Sequence, residues 1–247
     1  MNSSDDHEWS ASVGADPSAI LNEAVDDTRS GCLPRALAKF TWFFANSKDP
    51  ASGLGGVRLS FALSYWHDLA KMYPPAMAAL EDVRNRAAGD VISSDNAFES
   101  FHEFSAINRT LRDDAATLKM FEHLDARNPN LARDVYMIAE PVLLRHKRYE
   151  VCNRYLEPNS TIDHAAELLE ISRNGPYPGL KSDDHRSSIE SSFRQTAGTV
   201  VAILVIAGRK REAMEIVDRI YSAWDDPSVR DTVEHALKGV LPQSDGA

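Results

Sequence analysis

Between Val57 and Val83 the apolar positions fall into the most regular pattern of the chain. Leu59, Leu63, Trp66 and Ala70 recur at i, i+4, i+7 and i+11, the spacing that stacks side chains on one face of an α-helix. A second stripe of Phe61, Tyr65, Leu69 and Met72 lies on the adjacent face. The segment is thus apolar around more than half its circumference and is expected to pack against neighbours on two sides. Tyr73-Pro74-Pro75 ends it, because a residue before proline is pushed out of the helical region and proline gives no donor to the preceding turn. Pro75 suits the start of a second helix, whose Ala76, Ala79, Leu80 and Val83 continue the apolar face.

The rest of the chain repeats this helix-turn-helix rhythm. Asp16-Pro17 is a start signal for a helix carrying Ile20, Leu21, Ala24 and Val25, which stops at Gly31. Leu33 to about Asn46 follows, with Leu37, Phe40, Phe43 and Phe44 inward, and Lys48–Gly56 reads as a loop. Ser94-Asp95 opens a helix bearing Phe98, Phe101, Phe104, Ile107 and Leu111; Asp113-Asp114 opens its partner, with Leu118, Phe121 and Leu124 inward and Asn128-Pro129 as the stop. Leu131–His146 contains Pro141, which is expected to kink it or cut it short. Tyr149–Leu156 and a helix over about 161–172 precede the strongest breaker, NGPYPGLK at 174–181. Helices over about 184–207 and 211–224 come next, and Asp226-Pro227 starts a last one with Val229, Val233, Ala236, Leu237 and Val240. No segment alternates as a strand does, so the expected class is all-α. Residues 1–15 and 241–247 are expected as flexible tails around a domain over 16–240, with a possible break at 174–183.

Bulk composition narrows the function. A chain of 247 residues with 43% hydrophobic content can bury a substantial core. A net charge of −10 argues against nucleic acid and anionic membrane as partners, since phosphates call for clustered Lys and Arg. The basic runs Arg145–Arg148 and Arg209–Arg211 fall at expected helix ends, where cations complement the helix dipole. Two cysteines, Cys32 and Cys152, are too few for a disulfide framework. The acidic N-terminus lacks the basic start and apolar core of a signal peptide. Thr199–Ala207 is too short to span a bilayer and reads as a buried helix. A cytoplasmic protein is expected.

A small or modest residue recurs five positions after the end of each first helix: Gly31/Ala36, Lys71/Ala76, Leu111/Ala116, Lys147/Cys152 and Gly208/Ala213, at intervals of 40, 40, 36 and 61 residues. With Ala36, Phe40, Phe43 and Pro50; Ser105, Thr117, Phe121, Leu124 and Pro129; and Gly208, Ala213, Ile220 and Pro227, the chain resembles the tetratricopeptide repeat family. The stretch GVRLSFALSYW…YPPA is also similar to uncharacterised bacterial proteins of tetratricopeptide-like type. HEAT-like and irregular helical bundles are the competing arrangements. The resemblance implies an α-solenoid of about five hairpins with a C-terminal capping helix and a concave groove that binds a peptide or protein segment. Mapped onto this chain, the groove comprises Arg58, Phe61, Tyr65 and Asp68; Glu99, His102, Ala106 and Arg109; and Arg133, Tyr136, Glu140 and Leu143. On this reading the protein is a non-catalytic interaction module with no cofactor.

Catalytic chemistry is the alternative. Glu99-x-x-His102 is half of a carboxylate-bridged di-iron pattern, and His164-x-x-Glu167 is the same pair reversed. A full centre needs two such motifs and two further glutamates on facing helices. Phosphate loops, nucleophile elbows and HExxH are absent from the sequence. In Trp66-His67-Asp68 consecutive residues point about 100° apart on a helix, which prevents an oriented His-Asp dyad. Trp66 is expected to be a core anchor.

Overall fold

The computed structural model describes residues 9–49, 52–174 and 183–242. It is helical throughout, with no strand among those residues. The chain divides into two compact units, 1–142 and 143–247, the boundary falling inside one helix. The possible break at 174–183 lies almost wholly outside the described residues.

In the first unit, α1 (Pro17–Arg29) begins where Asp16 accepts a hydrogen bond from the Ser18 amide, and α2 (Leu33–Asn46) follows. A short α3 (Gly55–Arg58) precedes α4 (Phe61–Met72) and α5 (Pro74–Ser93). Then come α6 (Ala97–Leu111), α7 (Asp114–Arg127) and α8 (Pro129–Arg145). The helix expected from Val57 is interrupted: Ser60 adopts φ −131°, ψ −91°, so Arg58 and Phe61 belong to different helices. Helix α8, by contrast, runs through Pro141 uninterrupted. Pro141 cannot donate to the Met137 carbonyl, but both residues lie on the exposed side, where water can serve it.

Helix α4 is the centre of this unit, packed by α1, α2, α3, α5 and α6. Trp66 is its anchor. The indole is enclosed, parallel to Phe40 at 6.3 Å and edge-on to Phe44 at 5.7 Å, and its Nε1 donates to the Ala76 carbonyl at 3.1 Å. Leu63, Leu69, Leu80 and Ile107 complete the core around it.

Charges are built into the α1–α2 seam. Lys39 Nζ reaches Glu23 at 2.7 Å and Asp27 at 2.9 Å, and Arg35 grips both oxygens of Asp27. Burial alone would raise the Asp27 carboxyl and lower the Lys39 amine, but these bonds outweigh it and hold Asp27 below and Lys39 above its ordinary range. Trp9 packs edge-on against Trp42 at 6.3 Å and against Lys39, so the middle of the expected N-terminal tail lies on α2.

The second unit contains α9 (Tyr149–Tyr155), α10 (Pro158–Asn174), α11 (Asp183–Ile206), α12 (Lys210–Ala223) and α13 (Pro227–Ala236). Its centre is α11, on which α9, α10, α12 and α13 all pack. Residues 197–204 are buried without a break, but of the run 199–207 expected as an enclosed helix, Ile206 and Ala207 are exposed where α11 ends. Gly198 permits the closest approach: a Cβ there would lie 2.7 Å from Thr232 Cγ2 and 2.9 Å from Pro242 Cγ.

Four interhelix turns share one geometry. Gly31, Arg112, Lys147 and Gly208 adopt positive φ. The next residue donates its amide back across the turn, Cys32 to Asp27, Asp113 to Asn108, Arg148 to Leu143 and Arg209 to Leu204, at 2.8–2.9 Å. That same residue caps the following helix. The sequence anchors at Gly31, Lys147 and Gly208 coincide with these turns, whereas the third is one residue later, at Arg112 with the buried Thr117. At Lys71/Ala76 the extended Tyr73 and Pro74 make a different turn.

Candidate functional site

The side of α4 turned away from Trp66 carries a row of exposed apolar residues. Phe61, Tyr65 and Met72 are 63%, 39% and 57% exposed, at helical positions 0, +4 and +11. This is the stripe expected to pack on a second neighbour. Only Leu69 of that stripe is buried, because the break at Ser60 and the packing of α6 cover the Leu63–Trp66 side instead. Asp68, beside the stripe, pairs with Lys71 at 2.7 Å and is not bonded to His67.

Arg58 does not belong to this surface. It is 5% exposed, its guanidinium lies 3.8 Å from the Phe44 ring centroid, and its Nε donates to the Phe44 carbonyl at 2.8 Å. Its Nη2 donates to Glu103 Oε2, which Lys48 also approaches at 3.2 Å. Phe44 is in the last turn of α2, so Arg58 satisfies a carbonyl left open by the helix end and ties α2 to α6. A charged residue that the sequence spacing groups with Phe61 and Tyr65 is therefore a structural clamp on a separate helix.

On α6, Glu99, His102 and Arg109 are exposed, together with Phe98. Arg109 Nη2 donates to the Leu59 carbonyl at 3.3 Å, which places it at the start of α4, two residues before Phe61. Partial burial, with the nearby charges of Arg109 and then Arg58, holds the His102 imidazole below its ordinary range. Burial also lowers His67, reinforced by Lys71 and Arg112. Ala106 is buried and leaves the stripe.

On α8, Arg133 is exposed, but Tyr136 and Leu143 are buried. Tyr136 Oη donates to Glu140 Oε1 at 2.8 Å. Burial raises the Glu140 carboxyl above its ordinary range, partly offset by that hydrogen bond. The three sets read from the sequence thus separate: Phe61, Tyr65, Asp68, His102 and Arg109 are exposed, with Arg109 reaching the start of α4, while Arg58, Tyr136 and Leu143 are interior. Met72 and Phe98 are exposed as well and were recognisable only as apolar helix positions.

Among the described residues no group of three or more His, Cys, Asp or Glu side chains is placed to hold a metal, and no helix is long and apolar enough to cross a membrane. No family model, curated protein or solved structure matches the chain.

Proposed function

We propose that the protein is a non-catalytic interaction module, a tetratricopeptide-like stack of helical hairpins, that binds a peptide or protein segment on the outer face of α4 beside α6. The observation carrying this reading is the exposure of Phe61, Tyr65 and Met72 on a helix whose Leu63 and Trp66 are fully enclosed on the other side. Residues at 0, +4 and +11 present the ridge that an amphipathic helical segment matches with its own i, i+4 and i+7 anchors. The stripe is too small to supply the roughly 1,200 Å² of a stable protein–protein interface, which favours a short segment as the occupant. The repeated positive-φ turns suit hairpin stacking, and a count of only two cysteines suits a reducing cytoplasm.

Peptide display selected on the full chain, with counter-selection on a Phe61→Ser/Tyr65→Ser variant, tests the reading. The substitutions lie on an exposed face and should shift stability by within about 0.5 kcal/mol. Enriched peptides are expected to bind the native chain and not the variant. Binding that survives both substitutions, or no enrichment over the variant, would overturn the reading.

A further inference from the structure

Between Trp9 and the start of α1 the chain lies largely in solvent. Ser10, Ser12, Val13 and Gly14 are exposed, and among the described residues the backbone of 10–15 makes one hydrogen bond of its own, from the Ala15 amide to the Ser12 carbonyl at 3.1 Å. Gly14 adopts φ 76°, a region that glycine enters freely, so the segment can swing there. Trp9 is different. Its ring is half-buried on α2 and anchors the segment.

The seat under that ring is built by α1 and α2. Trp42 packs on the core of the first unit and stands edge-to-face with the Trp9 indole, the two ring centroids 6.3 Å apart. Lys39 Nζ lies over the Trp9 ring, 5.7 Å from its centroid, within reach of a cation–π contact. Glu23 at 2.7 Å and Asp27 at 2.9 Å fix that Nζ, and Arg35 holds Asp27 in turn. These carboxylates orient the cation without using it up, since the Trp9 ring is seated with both of them bound. Ion pairs of this kind add little to stability compared with apolar side chains of similar volume. A fixed, largely dehydrated cation beside an upright indole is, however, an arrangement that captures an aromatic ring.

We infer that the seat of Trp9 is a binding site for an aromatic side chain of a partner peptide, an indole by preference, which the chain's own segment 9–15 closes in cis. Trp9 occupies the site as an internal ligand. When the segment swings out at Gly14, the corner between Lys39 and Trp42 accepts the same kind of ring from outside. Indole is favoured over phenyl because its π-face attracts a cation more strongly. The site shares no residue with the α4 surface. Closure in cis sets a threshold, because a seat that is free about a tenth of the time presents about a tenth of its intrinsic affinity to an outside ring.

The test is a nitrogen–proton correlation NMR titration of the full chain and of its Trp9→Ala variant with a capped peptide of residues 9–15. The same peptide carrying Trp9→Ala is the control. The peptide is expected to bind the Trp9→Ala chain at millimolar concentration and to move the Trp42 indole and Lys39 amide signals. It should bind the native chain about tenfold more weakly, and the control peptide should bind neither. In the native chain the Trp9 indole signal should move toward that of a free indole as the peptide displaces it, a readout that needs no variant. N-acetyltryptophanamide should shift the same signals, and its phenylalanine counterpart should do so more weakly. The inference is overturned if the peptide moves neither Trp42 nor Lys39 in either chain at millimolar concentration, if it binds both chains equally, or if the control peptide binds as well.

Discussion

Replacing Gly198 by alanine sets helix propensity against packing, because the two act in opposite directions at this position. In a helix interior alanine is favoured over glycine by about 0.8–1.0 kcal/mol. A Cβ at 198 would nevertheless meet Thr232 Cγ2 at 2.7 Å and the Pro242 ring at 2.9 and 3.3 Å. Neither neighbour yields easily. Thr232 is β-branched and its hydroxyl donates to the Ser228 carbonyl at 2.9 Å, and the proline ring has no rotamer to escape into. Overpacking of this kind costs about 1–3 kcal/mol. Gly89, inside α5, has nothing within 4 Å of its would-be Cβ, so alanine there collects the propensity gain alone. Urea unfolding followed by far-ultraviolet circular dichroism should therefore separate Gly198→Ala from Gly89→Ala by about 1–3 kcal/mol, the former being less stable. Adding Thr232→Ser, which deletes Cγ2 and keeps the hydroxyl, should recover part of the loss. Equal shifts for the two alanine variants would refute the close approach of α11 to α13.

Arg58→Ala should destabilise by roughly 2–3 kcal/mol, since it leaves Glu103 with Lys48 alone and reopens the Phe44 carbonyl; a denaturation curve like the native one would show the clamp to be dispensable. Arg112→Gly should stabilise and Gly208→Ala destabilise, each by about 1 kcal/mol, because both turns hold positive φ; opposite signs in thermal unfolding would contradict the shared turn geometry. Glu140 has a folded pKa above its unfolded value, so its contribution is favourable below the unfolded pKa and is lost as pH rises through the folded one. Glu140→Gln, which leaves an acceptor for Tyr136, should thus raise stability at pH 7 and leave it nearly unchanged at pH 4; a gain confined to acid would reverse the assignment.

Where an element begins and ends was written locally, in Asp16-Pro17, Gly31, Pro34, Tyr73-Pro74 and Asp226-Pro227, and those boundaries could be read directly. The run at 199–207 announced a buried helix by its apolar composition, and 199–204 are enclosed, but the pattern did not mark Ile206 and Ala207 as the exposed end. Exposure was harder. Periodicity places Phe61 and Tyr65 on one side of α4, but it is silent on whether a neighbour arrives there. Arg58 shows the reverse problem: its partner Glu103 is 45 residues away, and no local signal marks a charge as interior. The turn at Arg112 was misplaced by one residue for a related reason, since a left-handed arginine carries no glycine to flag it. Arg209–Arg211 looked like a helix terminus and was one, but the opposite terminus, because the turn is so short that one helix's end adjoins the next one's start.

The position of α11 also has a temporal side. Helices α12 and α13, which cover much of its apolar length, lie after it in the chain. As the polypeptide leaves the ribosome, residues 197–204 emerge before their shelter exists and must wait for some thirty more to be made. Chains cut short ahead of Pro227 would lack α13 and keep the side of α11 that it covers bare, and their natural fate is to stick to one another or to a chaperone rather than to remain in solution.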